Sequence, residues 1–137
     1  MNESYLWKKL KLASSADMTR HEDKLNLGIP DVSYGLGQVN GWIELKALKR
    51  WPKDPKSVVP FRNLKIHQIR FLQNRGRAGG HCFLMVIVGR KDFDYLLFSW
   101  QKVRLLGKLT QEQLFEQATY WWRGDLASSS IDYYLSR

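Results

Sequence analysis

From Gly28 to Ala47 the chain alternates between apolar and polar positions. Val32, Tyr34 and Leu36 fall on one side of an extended segment, with Asp31, Ser33 and Gly35 on the other. A second run sets Ile43, Leu45 and Ala47 against Trp42, Glu44 and Lys46. Two stretches of period two separated by "GLGQVNG" predict a β-hairpin. Upstream, Leu6, Trp7 and Leu10 recur at helical spacing among Lys8, Lys9 and Lys11, which predicts an amphipathic helix over Glu3 to Ala13. The polar "SSADMTRHEDKLN" between them reads as a loop.

Downstream, the pattern predicts a helix over Asn63 to Asn74, a turn at "GRAGG", a buried strand "HCFLMVIVG", a turn near "RKDF" and a strand "DYLLFSW". Thr110 and Gln113 have capping-box spacing, opening a helix whose Leu114, Ala118, Trp121 and Trp122 share a stripe. The tail "ASSSIDYYLSR" reads as peripheral. This order, helix, two strands, helix, two strands, helix, predicts an α/β fold with one sheet flanked by helices.

The chain's 137 residues, 44% of them hydrophobic, suffice for one domain with a real core. Lys and Arg number 22 against 13 acids, a net charge of +9 that draws polyanions. The single Cys82 excludes an internal disulfide and a thiolate metal cluster. The apolar run Cys82 to Val88 is too short to span a bilayer, and "MNESYLWKKLKL" lacks the form of a signal peptide. The expectation is a soluble cytoplasmic protein, of a bacterium or a phage-infected host, with no membrane partner.

Because the apolar sets of the hairpin share one face, Asp31, Glu44 and Lys46 share the other. With the turn at Gly37 and Gln38, Asp31 stands opposite Glu44 at about 5 Å between Cβ atoms, and Lys46 lies about 6.5 Å along. A turn at Asn40 and Gly41 shifts the pairing but keeps the faces. Two carboxylates that close relieve their repulsion through a raised pKa or a shared cation. Mg²⁺ suits such a pair, since it takes one or two protein carboxylates and completes its shell with water and phosphate. A neighbouring lysine then orients or deprotonates water, or neutralises charge on phosphate. The same spacing also suits an ordinary exposed hairpin face, so the rest of the chain decides.

"GIPD", followed by "WIELK" with Glu44 thirteen positions after Asp31, resembles the PD-(D/E)XK nuclease signature, and within that superfamily it is similar to the stand-alone VRR-NUC domains of phage and bacteria. "ESYLWKKL" resembles the first helix of that family, and "HQIRFLQNRGRAGGHCFLMV" its glutamine-bearing helix and following strand. The resemblance implies a restriction-endonuclease-like core, a mixed central β-sheet flanked by α-helices, in one domain over 1–137. The core would run over about 3–99, with a C-terminal helix and tail over 100–137. It implies that Asp31, Glu44, the backbone carbonyl of Leu45 and Glu3 hold Mg²⁺, with Mn²⁺ able to substitute. Glu22 is an alternative to Glu3. Lys46 would be the catalytic lysine and Gln68 the glutamine of the active site. Lys65, Gln68, Ile69 and Leu72 fall on one helical face, which independently suggests a site edge.

From Lys46 to Arg77 there are ten Lys or Arg residues and one acid, Asp54. Lys49, Arg50, Lys53, Lys56, Arg62 and Lys65 are the candidate DNA contacts. Their segment also holds Pro52, Pro55, Pro60, Trp51 and Phe61, and predicts a stiff, irregular loop that touches phosphates or wedges into a junction. His21, His67 and His81 lack metal-ligand spacing. No P-loop or dinucleotide fingerprint is present, so no nucleotide cofactor is expected. Stand-alone members of the family resembled cut four-way junctions as dimers, and the expectation by analogy is a homodimeric, Mg²⁺-dependent endonuclease on Holliday junctions. A duplex or flap endonuclease, or a silent nuclease-fold DNA-binding protein, are the alternatives.

Overall fold

The computed structural model describes residues 3–22 and 28–137, without the side chain of Ser128. Six strands form one sheet in chain order: β1 (Asp17–Arg20), β2 (Val32–Leu36), β3 (Val39–Leu48), β4 (His81–Val88), β5 (Asp94–Ser99) and β6 (Tyr120–Arg123). Only β3 and β4 pair in parallel, and every other neighbouring pair is antiparallel. A parallel pair needs a crossover connection. Helix α2 (Ile66–Arg77) supplies it, while α1 (Glu3–Ala13), α3 (Gln111–Gln117) and the short α4 (Ile131–Leu135) complete the layers.

The two faces of the sheet carry separate cores. One collects Val32, Tyr34, Ile43, Leu45, Met85 and Leu97 under Leu6 and Leu10 of α1. The other collects Cys82, Leu84, Val86 and Phe98 under Leu72 of α2 and Leu114 of α3. β4 feeds both, which is why it reads as an unbroken apolar run instead of an alternation. Trp42, Glu44, Lys46 and Leu48 share the face that α2 covers.

The hairpin turns at Gly37 and Gln38, with Leu36 paired to Val39. Gly37 has φ 63°, the left-handed value that a type II′ turn requires at its first central position. Helix α2 starts later than expected and continues through Gly76. A Cβ at Gly76 would come within 2.3 Å of the Trp100 ring, so glycine lets that indole cross the helix.

Three expectations are corrected. Residues 17–20 of the supposed loop form β1, whose exposed edge position tolerates the polar composition that hid it. The capping box at Thr110 and Gln113 does open α3, but that helix stops at Gln117, and Trp121 and Trp122 lie on β6, paired with Leu96 and Tyr95. Adjacent residues of a strand point to opposite faces. Trp122 therefore packs on the first core while Trp121 is exposed. The tail is not peripheral either: Ile131 and Leu135 are buried in the first core, and the Tyr34 hydroxyl donates to the Leu135 carbonyl at 2.7 Å.

Candidate active site

Asp31 precedes β2, and the register that pairs Val32 with Ile43 sets it opposite Glu44. Its carboxylate Oδ2 accepts the backbone N–H of Leu45 at 2.9 Å, and its carbonyl accepts from His21 N at 2.8 Å. Continuing the register one step brings Pro30 opposite Leu45. Proline has no N–H, so it offers nothing to the Leu45 carbonyl, and the Asp31 side chain takes the N–H that a ladder partner would otherwise have taken. The proline and aspartate thus end the hairpin ladder beside Glu44.

Glu44 and Lys46 are buried, and Lys46 Nζ lies 3.3 Å from Glu44 Oε2. Gln68, in the first turn of α2, joins them. Its Nε2 donates to Glu44 Oε2 at 3.1 Å, and its Oε1 accepts from Lys46 Nζ at 3.3 Å and from Lys65 N at 2.9 Å. The third partner of Lys46 Nζ is the Asn63 carbonyl, at 2.8 Å. Nζ thus donates two hydrogen bonds, to Gln68 Oε1 and the Asn63 carbonyl, and faces Glu44 as an ion pair. The amide of Gln68 also satisfies a backbone N–H at the start of α2, where helices leave such donors over.

The sequence-derived group of Asp31, Glu44, Lys46 and Gln68 is therefore brought together. The donor set fits a hard divalent cation: the carboxylates of Asp31, just before β2, and Glu44 on β3, next to a backbone carbonyl that proline leaves uncapped. Glu3 lines the same cleft as Lys46. Among the described residues no three of His, Cys, Asp and Glu converge as a metal cluster. Glu22 ion-pairs with Arg20 at 3.9 Å, and its side chain is 75% exposed.

Lys46 opens onto a cleft of about 810 Å³ running along the end of β3 and the loop after it. Lys49, Arg50, Lys53 and Arg62 line this cleft, whereas Lys56 and Lys65 are exposed but outside the lining. Arg90, in the turn after β4, also lines it. Sequence reasoning missed Arg90, because a cation in a short surface turn carries no distinguishing pattern. Asp54, the one acid of the basic run, accepts Lys56 N at 2.9 Å.

The loop is held by folded contacts, which corrects the idea of a wedge. Trp51 Nε1 donates to Asp94 Oδ2 at 2.8 Å, and its ring packs on Phe115 at 5.5 Å. Asp94 is buried and also accepts Arg123 Nε at 2.6 Å. Phe61 packs against the second core, so neither aromatic is free to enter a junction.

The mixed sheet with helices on both faces is the restriction-endonuclease-like nuclease fold. Among solved structures, the chain is similar to the Holliday junction resolvase Hjc of the archaeal hyperthermophile Archaeoglobus fulgidus, with 16% identity and a TM-score of 0.52. The match covers 90% of this chain and 95% of that one, so the likeness of fold extends over most of both chains. No family model and no curated protein matches the chain. No helix among the described residues is long and apolar enough to cross a membrane.

Proposed function

We propose that this chain is a metal-dependent DNA endonuclease that hydrolyses phosphodiester bonds and acts as a homodimer on branched DNA, with a preference for four-way junctions. The observation that carries this reading is the hydrogen-bonded group of Glu44, Lys46 and Gln68 beside Asp31, behind a cleft lined by Lys and Arg. The motif residues Pro30, Asp31, Glu44, Lys46 and Gln68 support membership of the PD-(D/E)XK superfamily and its VRR-NUC group. The likeness of the fold to a junction resolvase supports the choice of branched DNA.

Asp31, Glu44 and the Leu45 carbonyl would hold Mg²⁺, or Mn²⁺ in its place, and the bound ion supplies Lewis-acid polarisation of phosphate and an activated water. Lys46 delivers its ammonium to the charge that grows on the phosphate. Two of its three N–H groups are held by Gln68 and Asn63, which leaves one to donate to a phosphate oxygen. Gln68 positions both Glu44 and Lys46. Lys49, Arg50, Lys53, Arg62 and Arg90 bind backbone phosphates along the cleft, with Lys56 and Lys65 outside its lining. A twofold dimer with one site per subunit would cut both strands at a branch symmetrically.

The test is incubation of labelled four-way junction, matched duplex and flap with the protein in Mg²⁺ or EDTA. The expected result is Mg²⁺-dependent cleavage of the junction, lost in Asp31→Ala and Lys46→Ala while DNA binding persists. Equal cleavage of all three DNAs would remove the junction preference, and wild-type activity in either variant would overturn the site.

A further inference from the structure

A cluster of rings around one cation, Arg75, lies beside the site. Trp42 lies on β3 two residues before Glu44, on the same face of the sheet and about 6.6 Å along the strand. Phe71 lies close to one helical turn after Gln68 on α2. The two rings meet edge-on at 5.3 Å, and His21 packs on Trp42 at 5.4 Å. The Arg75 guanidinium lies 4.7 Å from the Phe71 ring centre and 5.5 Å from that of Trp42. The three rings are half-buried, and Arg75 is exposed. Helix α2 carries no acid, and among the described residues Arg75 makes no ion pair.

A cluster that merely closed the gap between α2 and the sheet would need no cation on its outer surface. A guanidinium held beside rings is planar and weakly hydrated, and guanidinium and aromatic faces stack nucleobases. Position gives the second argument. Along β3, Glu44 and Lys46 lie between this cluster and the basic cleft, so a strand whose phosphates follow the cleft reaches the cluster after passing the catalytic group. Paired DNA keeps its bases stacked inward, whereas an unpaired nucleotide at a branch exposes a base face.

We propose that Arg75, backed by Phe71 and Trp42, stacks an unpaired nucleobase next to the scissile phosphate. This inference rests on the endonuclease reading for its geometry, but it is tested by binding alone. The full chain, in EDTA so that nothing is cut, is titrated with a duplex bearing one unpaired 2-aminopurine and with the fully paired duplex.

The expected result is a change in 2-aminopurine fluorescence on binding the unpaired substrate. Its Kd rises by about 5-fold or more in both Arg75→Gln and Arg75→Lys, while the Kd for paired duplex changes less than about twofold. Phe71→Leu, which keeps the charge but removes the backing ring, is expected to lose part of the same discrimination. Arg75 is exposed, so its variants fold even if Phe71→Leu does not.

Equal losses on both DNAs with recovery in Arg75→Lys would overturn the inference in favour of a phosphate contact by charge alone. Unchanged affinities, or no binding of either DNA, would overturn it outright. Absence of Mg²⁺-dependent cleavage overturns the catalytic reading without touching the binding result. Cleavage without discrimination at Arg75 removes only the stacking inference.

Discussion

Gln68 Nε2 donates to Glu44 Oε2 at 3.1 Å while Oε1 of the same amide accepts the Lys65 N–H, so the start of α2 and the orientation of the acid are one contact. Under the proposed function, Gln68→Ala is expected to lower cleavage by about 10–100-fold, the usual cost of losing a partner that would orient a metal ligand. Gln68→Glu should fall further, since it sets a carboxylate against Glu44. Single-turnover rates at saturating protein distinguish these outcomes, and wild-type rates in both variants would end the positioning role.

Replacing Lys49, Arg50, Lys53 and Arg62 together with Gln should weaken binding to junction and duplex alike. For every phosphate no longer neutralised, the slope of log affinity against log salt becomes shallower by roughly 0.9. Lys56→Gln, outside the cleft lining, should leave the slope near that of the wild type. Titrations at several salt concentrations decide this, and an unchanged slope in the quadruple variant would move the DNA path elsewhere.

Asp94 anchors the basic loop from 43 residues away, through Trp51. Asp94→Ala leaves the half-buried indole N–H and Arg123 without their acceptor. The bond from Trp51 to this buried carboxylate is worth about 1.5–3 kcal/mol and the solvent-exposed Arg123 adds little, so a loss of about 2–3 kcal/mol of stability is expected. Urea unfolding measures it, and DNA affinity should fall in parallel as the cleft wall loosens. Full stability in Asp94→Ala would show that the loop is held by other contacts.

Burial pushes the Cys82 thiol up to about 11, with Arg75 offsetting part of the rise. The reactive species is the thiolate. Native protein at pH 8 should therefore resist a thiol reagent, and unfolding in urea should release stoichiometric reaction. Rapid labelling of the native state would contradict the packing of β4.

Asp132 joins α4 to the end of α1. Burial alone would raise its pKa, but hydrogen bonds from the Ser14 hydroxyl and from the Ser15 amide and hydroxyl outweigh that and hold it below the ordinary carboxylate range. A folded-state pKa below the unfolded value gives stability that is complete above about pH 4 and disappears as pH falls through the folded pKa. The difference in urea midpoint between wild type and Asp132→Asn should be clear at pH 7 and shrink toward pH 3. A pH-independent difference would assign the effect to something other than the charge.

The hairpin was legible because its information is local. Period-two alternation and a glycine turn set the register, and register alone brings Asp31 opposite Glu44. Gln68 was legible through its helical spacing and the resemblance. Other features depend on partners far away in the chain. Nothing near Trp51 announces Asp94, and Arg90 joins the cleft only because β4 runs parallel to β3. Trp121 and Trp122 misled because two adjacent aromatics after an amphipathic helix satisfy its stripe, while strand pairing with β5 is non-local. In the tail, Ile131 and Leu135 do have helical spacing, but five residues after a serine run are too few for that signal to stand out.

The missing amide of Pro30 has a further consequence for any attempt to make this protein hardier. A residue with a main-chain donor at that position would lengthen the antiparallel pairing by a rung, set against the freedom the unfolded chain gains when proline is lost. That rung would place a donor on the oxygen of Leu45, beside the position where the proposed cation would bind. Under the proposed function, strand pairing and ion binding would draw on one oxygen, and a variant that gains the rung should bind Mg²⁺ more weakly.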